Sequence, residues 1–200
     1  METLDIGPEE IEKRIARVDE LTANKAEFVE RLGIPVEAYE YVAAQSIYLL
    51  MAKPKPAEKQ NSQPAIEGPA GASFYVVETP PGDGSLPHAH MRTWESFMPQ
   101  TGRYRIDYGR GARHSVTIEP HELFSVPPGV IRCFTNIEDH DARMFVIIQG
   151  EDDAAALNDV IFPPEVGAEI ARRWGDDVLA KMETLGFGFD ADLESADAAE

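Results

Sequence analysis

The chain has a single cysteine, Cys133, in 200 residues, so an intrachain disulfide and a thiolate metal cluster are both excluded. It has few basic residues: 18 Lys and Arg stand against 36 Asp and Glu, a formal charge of −18. A balance of that sign argues against binding nucleic acid or an anionic membrane surface. No window approaches the ~20 consecutive apolar residues that a membrane-spanning helix needs. The opening METLDIGPEE lacks the basic and then apolar pattern of a secretory signal. A soluble, cytoplasmic, acidic protein is the expectation. With 43% apolar residues the chain can still bury a sizeable core.

The acidity is uneven. Residues 1–40 carry a net −6 and residues 151–200 a net −11, whereas residues 41–150 are near neutral at −1 and hold every histidine. Acidic flanks read first as solvated helix faces. The chemistry is therefore sought in the middle.

Three segments follow from patterning: an N-terminal helical extension over 1–45, a β-barrel over 46–150, and a C-terminal helical extension with an acidic tail over 151–200. In the first, Pro8 suits an opening helical turn and Glu9, Glu10 and Glu12 complement its dipole. Ile11, Ile15, Val18, Leu21, Phe28 and Leu32 recur near a 3.6 period, which predicts one long helix stopped at Gly33, with a second short helix from Pro35. Ser46–Met51 reads as a buried strand, and the Pro-, Lys- and Gln-rich stretch Lys53–Gly71 as a long loop, a mobile cover or subunit contact. Between Ser73 and Gln149, about eight short Val-, Ile-, Tyr- and Phe-rich runs alternate with turn residues and no helix intervenes, the pattern of a sandwich or barrel. After Gly150, Pro163 and Pro164 open a helix with Val166, Ile170 and Trp174 on one face; a further helical run ends at Gly186.

The most informative stretch runs from Gly82 to Gly102. His88 and His90 are two apart, so on a strand both imidazoles project from one face. Glu95 has the wrong parity for the same straight strand, but a turn and return strand would bring its carboxylate back to the pair. Two imidazoles and a carboxylate on one face make a facial triad suited to Fe(II), Mn, Ni or Zn with open positions.

The spacing Gly82-x5-His88-x-His90-x4-Glu95-x6-Gly102 resembles the first sequence motif of the cupins without a gap. A counterpart of their second motif follows in register, with Pro127, Gly129 and Asn136 matching, His121 at the leading glycine and Arg132 in place of the histidine. The resemblance implies a mainly β fold, a double-stranded β-helix or jelly-roll-type barrel with ligands inside its mouth. It also implies one divalent transition metal, iron before manganese, nickel or zinc, held by His88, His90 and Glu95. A quercetinase-like, dioxygenase-type oxidoreductase acting on a small enolic, phenolic or hydroxy-acid substrate is then the expected activity, in a homodimer. Glu95 would double as a base and Arg132 would hold an anionic substrate group.

Arg132 is the departure. Guanidinium cannot ligate a cation, and at ~5 Å from a divalent ion it would be repelled by roughly 7 kcal/mol at an effective dielectric of ~20. It swings aside, or an anion lies between, or no metal binds and Arg132 pairs with Glu95. The last case defines the alternative: a metal-free cupin that binds a small anionic ligand or acts as an isomerase or lyase. A third reading is an interaction module whose acidic helices do the work. Cys133, next to Arg132 on a strand, faces the other way as a packed, inert thiol.

Overall fold

The computed structural model describes residues 3–54, 63–151 and 159–191. The acidic tail after Ala191 and residues 55–62 of the loop expected over Lys53–Gly71 lie outside the described residues. What is described of that loop includes a short strand, β2 (Ile66–Glu67), parallel to β1 (Ser46–Ala52).

Two sheets face each other. The larger has six strands in the order β2-β1-β3-β10-β5-β8, with β3 spanning Ala72–Thr79, β5 Trp94–Pro99, β8 Phe124–Val126 and β10 Ala142–Gln149. The smaller has the order β7-β6-β9, with β6 at Tyr104–Tyr108, β7 at His114–Ile118 and β9 at Arg132–Asn136. Within this sheet β3 and the next of its strands along the chain, β5, are separated by β10, the crossover pattern of a jelly roll. Strict alternation explains which way each strand faces: along β10, Ala142, Met144, Val146 and Ile148 are buried and the residues between them less so. These meet Tyr75, Val77 and Phe97 of the same sheet and Tyr104, Ile106 and Phe134 of the other in one core. Phe97 and Phe134 bridge the sheets with ring centroids 5.7 Å apart, and Thr79 Oγ1 and Tyr104 Oη share a buried hydrogen bond of 2.7 Å. Tyr104 and Ile106 thus belong to the core.

The long N-terminal helix does not form as one piece: it is divided into α1 (Pro8–Glu12), a 3-10 turn at Val18–Glu20 and α2 (Asn24–Leu32). After Gly33, the short helix expected from Pro35 forms as α3 (Val36–Val42). Ile11 and Ile15 are about half exposed, so the apolar period of the first turns has no surface to dock on. Thr22 and Asn24, residues that favour helix starts over helix interiors, mark where the helix begins again.

A second core joins the two ends of the chain. Ile34, Ala38 and Val42 from α3 and its approach pack with Ile170 of α4 (Pro164–Trp174) and with Val178 and Met182 of α5 (Asp176–Thr184). Val160 and Phe162 extend this cluster from β11 (Val160–Ile161), which pairs with β4 (Ala89–His90) of the barrel. The helical ends are thereby stitched to the strand that carries His90.

Candidate metal centre

The glycine-rich turn before His88 is held tightly against β9. A Cβ on Gly84 would stand 1.8 Å from the Phe134 carbonyl oxygen, so only glycine fits there. From this turn the chain reaches His88, which exchanges two backbone hydrogen bonds with Arg132, 3.0 and 2.9 Å long. His90 follows on β4, where Val160 is its partner. The turn after His90 leads into β5, and Glu95 there returns to the histidines.

The result is compact. His88, His90 and Glu95 are all buried, and one ligand atom from each lies within 4.8 Å of the others. Glu95 Oε2 is 3.7 Å from His88 Nε2 and 3.8 Å from His90 Nε2. The other ring nitrogens are fixed: His88 Nδ1 donates to the Leu86 carbonyl at 2.7 Å, and His90 Nδ1 to Asp159 Oδ1 at 2.8 Å. Carbonyl and carboxylate oxygens accept only, so the Nδ1 atoms carry the protons. Both Nε2 atoms face the carboxylate. Burial pushes the His88 imidazole below its ordinary pKa, with the Arg132 guanidinium adding to the effect against the attraction of the Glu95 carboxylate.

Three lone-pair-bearing atoms that converge in a dry place call for a cation between them. Donors ~2.1 Å from one ion lie roughly 3.0–3.5 Å apart, somewhat inside the 3.7 and 3.8 Å from Glu95 to the two rings and the 4.8 Å that bounds the whole set. The cluster has the composition, burial and backing of a site that can hold a metal ion.

Arg132 is entirely buried, and its Nε donates to the same Glu95 Oε2 at 2.8 Å. Its Nη1 reaches the Val130 carbonyl at 3.3 Å, while Nη2 is buried without a partner. Burial alone would raise the Glu95 carboxyl, but the Arg132 guanidinium beside it, with the nearby imidazoles, outweighs this and holds it well below the usual carboxylate range. Of the three arrangements open to Arg132, the ion pair is the one observed. The expected hold on an anionic substrate group finds no support in this geometry, because Arg132 is not among the side chains that line the adjoining cavity.

That cavity encloses about 110 Å³ between the barrel and the helical ends. His88, His90 and Glu95 form its polar wall; Val77 and Ile148 come from the barrel, and Val42 and Phe162 from the covering segments.

Asp159 is the site residue that motif reasoning missed. It accepts from His90, from Thr93 Oγ1 at 2.9 Å and from the Arg92 backbone at 2.8 Å. Burial raises its carboxyl, and these donors, His90 foremost, bring it below its ordinary value. Nothing in its local sequence distinguishes it within an acidic stretch. Among the other histidines, His114 and His140 are exposed, and His121 sits in a turn with φ of 72°. Cys133 is buried, and burial pushes its thiol up to about 11. No described helix is long and apolar enough to cross a membrane.

No family model matches the chain, and no curated protein matches it in sequence. Among solved structures it is similar to the Cnp3 cupin domain of Schizosaccharomyces pombe, at 15% identity over 55% of this chain and 68% of that one, with a TM-score of 0.41. It is similar also to a cupin 2 conserved barrel domain protein from Salinispora arenicola, at 18% identity over 55% and 78% of the two chains, TM-score 0.42. A sugar phosphate isomerase of the cupin superfamily from Silicibacter pomeroyi matches at 23% identity, TM-score 0.37, over 40% of this chain and half (51%) of that one. The assignment of fold rests on the chain itself: two facing sheets in jelly-roll order, with the ungapped first motif delivering two histidines and a glutamate to the barrel interior. By that strand order and that motif, the chain has the cupin fold.

Proposed function

We propose that the protein is a metal-dependent cupin enzyme of dioxygenase type, acting on a small enolic, phenolic or hydroxy-acid compound. The observation that carries this reading is the convergence of His88 Nε2, His90 Nε2 and Glu95 Oε2 on one wall of an otherwise apolar cavity. A divalent ion there would lower the pKa of a bound hydroxyl and, if it is iron, provide for chemistry with O2. The chain's own residues do the rest. The rings of His88 and His90 are aimed by the Leu86 carbonyl and by Asp159. Glu95 is kept ionised by Arg132, so it serves as an anionic ligand or accepts the proton of the incoming hydroxyl. Val42 and Phe162 of the covering segments exclude water.

Elemental analysis of protein purified without a metal-affinity tag tests this. One first-row metal per chain, lost in the His88→Ala, His90→Ala double variant, is the expected result. Occupancy unchanged in that variant would remove the site.

The Arg132–Glu95 pair favours a second reading, a metal-free barrel that binds a small ligand or catalyses an acid–base isomerisation or elimination. Absence of metal from both proteins selects it. We also propose a homodimer, because Leu4, Ile6, Ile11 and Ile15 of the N-terminal arm are exposed. Light scattering that finds a monomer at roughly tens of micromolar would contradict this.

A further inference from the structure

We propose that the substrate is one-ended: its polar atoms sit together at the end that meets His88, His90 and Glu95, and the rest is a hydrocarbon body of about one six-membered ring. The inference rests on the cavity being the substrate site of the proposed function, and it narrows the class of molecule that site accepts.

Strand register is the first observation. Glu95 pairs with Ile148 and Ile148 with Ser73, so the three ligands stand level with one rung of the larger sheet. Phe97, Val146 and Tyr75 form the next inward-facing rung, and Met144, Val77 and Ile47 the one after. Such rungs are roughly 7 Å apart along the strands. Ile148, then Val146 and Tyr75, then Val77 and Ile47 all line the cavity, so it runs from the rung of Glu95 past two more. Beyond the first rung these side chains are hydrocarbon apart from the Tyr75 hydroxyl. That hydroxyl is bonded to Ser73, back on the rung of Glu95.

The facing walls repeat the pattern. Val42 and Ala44 at the end of α3, Phe134 of β9 and Phe162 present only carbon. Asn24, Tyr39 and Ser85 also border the cavity, yet nearly all of the surface it offers is carbon. Asn24 Oδ1 has essentially no open surface, and Ser85 Oγ accepts from the Phe134 backbone N–H at 3.4 Å. A polar group carried to this end would give up its water and gain no partner.

Size sets the length of the body. The cavity encloses about 110 Å³, and an apolar cavity of about 150 Å³ takes up benzene. One ring fits; a fused pair does not.

The head is under a different rule. A divalent ion at the three ligands would accept a hydroxyl, an enolate or a carboxylate, so charge at that end is open. The molecules excluded are those polar at both ends, such as sugars, sugar phosphates and extended dicarboxylates.

The test compares para-cresol with hydroquinone, which are rigid, closely similar in size, and differ only at the end opposite one hydroxyl. Binding of each to the full chain is measured by titration calorimetry, first on chelator-treated protein and again with one equivalent of Zn²⁺. Para-cresol should bind at least about tenfold more tightly in both forms, and should shift the methyl NMR signals of Val77 and Val146. Hydroquinone binding as tightly as para-cresol in either form would overturn the one-ended class. So would para-cresol that does not bind, or that leaves both valines unshifted. Zinc retention is scored separately. A para-cresol preference in protein that retains no zinc upholds the ligand class and removes the metal-dependent reading.

Discussion

His88 and Arg132 are hydrogen-bonded backbone partners, each donating its N–H to the other's carbonyl. Paired residues of an antiparallel ladder lie with Cα atoms ~5.5 Å apart and their side chains on one face. Arginine at this register therefore stands where a fourth ligand would stand, beside the first histidine. Its Nε takes a lone pair of Glu95 Oε2, and the two candidate roles of that oxygen, ion-pair partner and metal ligand, compete.

Replacing the arginine separates those roles. Arg132→Ala leaves a buried carboxylate unpaired and should cost about 3–5 kcal/mol of stability in metal-free protein. Added Zn²⁺ or Mn²⁺ should return part of the loss, since the ion then faces Glu95 unopposed. Thermal melts with and without metal measure both effects; an unchanged melting temperature would show that the pair carries no stability. Arg132→His should raise metal affinity by at least about tenfold in a chelator competition, because a fourth ligand replaces a repelled cation.

Asp159 fixes the ring of His90 from outside the barrel. Asp159→Ala should weaken metal binding by about 10–100-fold with the other two ligands in place. Chelator competition reads the change, and affinity equal to that of the unsubstituted protein would show that Thr93 and the backbone suffice to orient the ring.

Acid should unfold the protein through Glu95 and Asp159. Both carboxyls are held below their ordinary values in the folded state, so the unfolded chain takes up protons first as pH falls. Their contribution is complete above the ordinary carboxylate range, about pH 4–5. It declines as pH drops toward the folded values. His88, held below its ordinary value by burial, adds an earlier decline, so urea midpoints should begin to slip as pH falls through the ordinary imidazole range, about pH 6–7, and fall more steeply below about pH 4. A midpoint that rises on acidification would contradict the sign.

Gly84→Ala should destabilise the fold by about 3 kcal/mol, as its Cβ meets backbone that cannot step aside. A two-state denaturant titration checks this, and a change under about 0.5 kcal/mol would mean the turn relaxes. Cys133 offers a control on the barrel interior. With a thiol raised to about 11 and a buried side chain, it should react with a disulfide reagent at pH 8 only after denaturation.

The strands between Ser73 and Gln149 were readable as short β-rich runs between turn residues, and β10 also because its one dry face is recorded directly in period-two alternation. His88, His90 and Glu95 were readable because one turn brings them together, so their spacing along the chain encodes their meeting in space. Two things were not. The exposure of Ile11 and Ile15 depends on whether a surface awaits them, which periodicity does not record. Asp159 and Asn24 reach the site from 64 residues after and 71 residues before Glu95 (positions 159, 24 and 95), and neither carries a local pattern. Arg132 was visible as a misfit to its motif, but choosing among its arrangements needed the 2.8 Å contact.

The cavity's walls have an implication for what counts as the working unit. One wall is barrel, another is Asn24 and α3, and a third is Val160 and Phe162, from the segment whose Asp159 aims a barrel histidine. A fragment trimmed to the barrel would keep both motifs intact and lose the chamber. Its histidines would face open water, with His90 free to change tautomer. The acidic ends, which on charge alone pass for solvated trimmings, hold the parts that turn a binding motif into an enclosed place for chemistry.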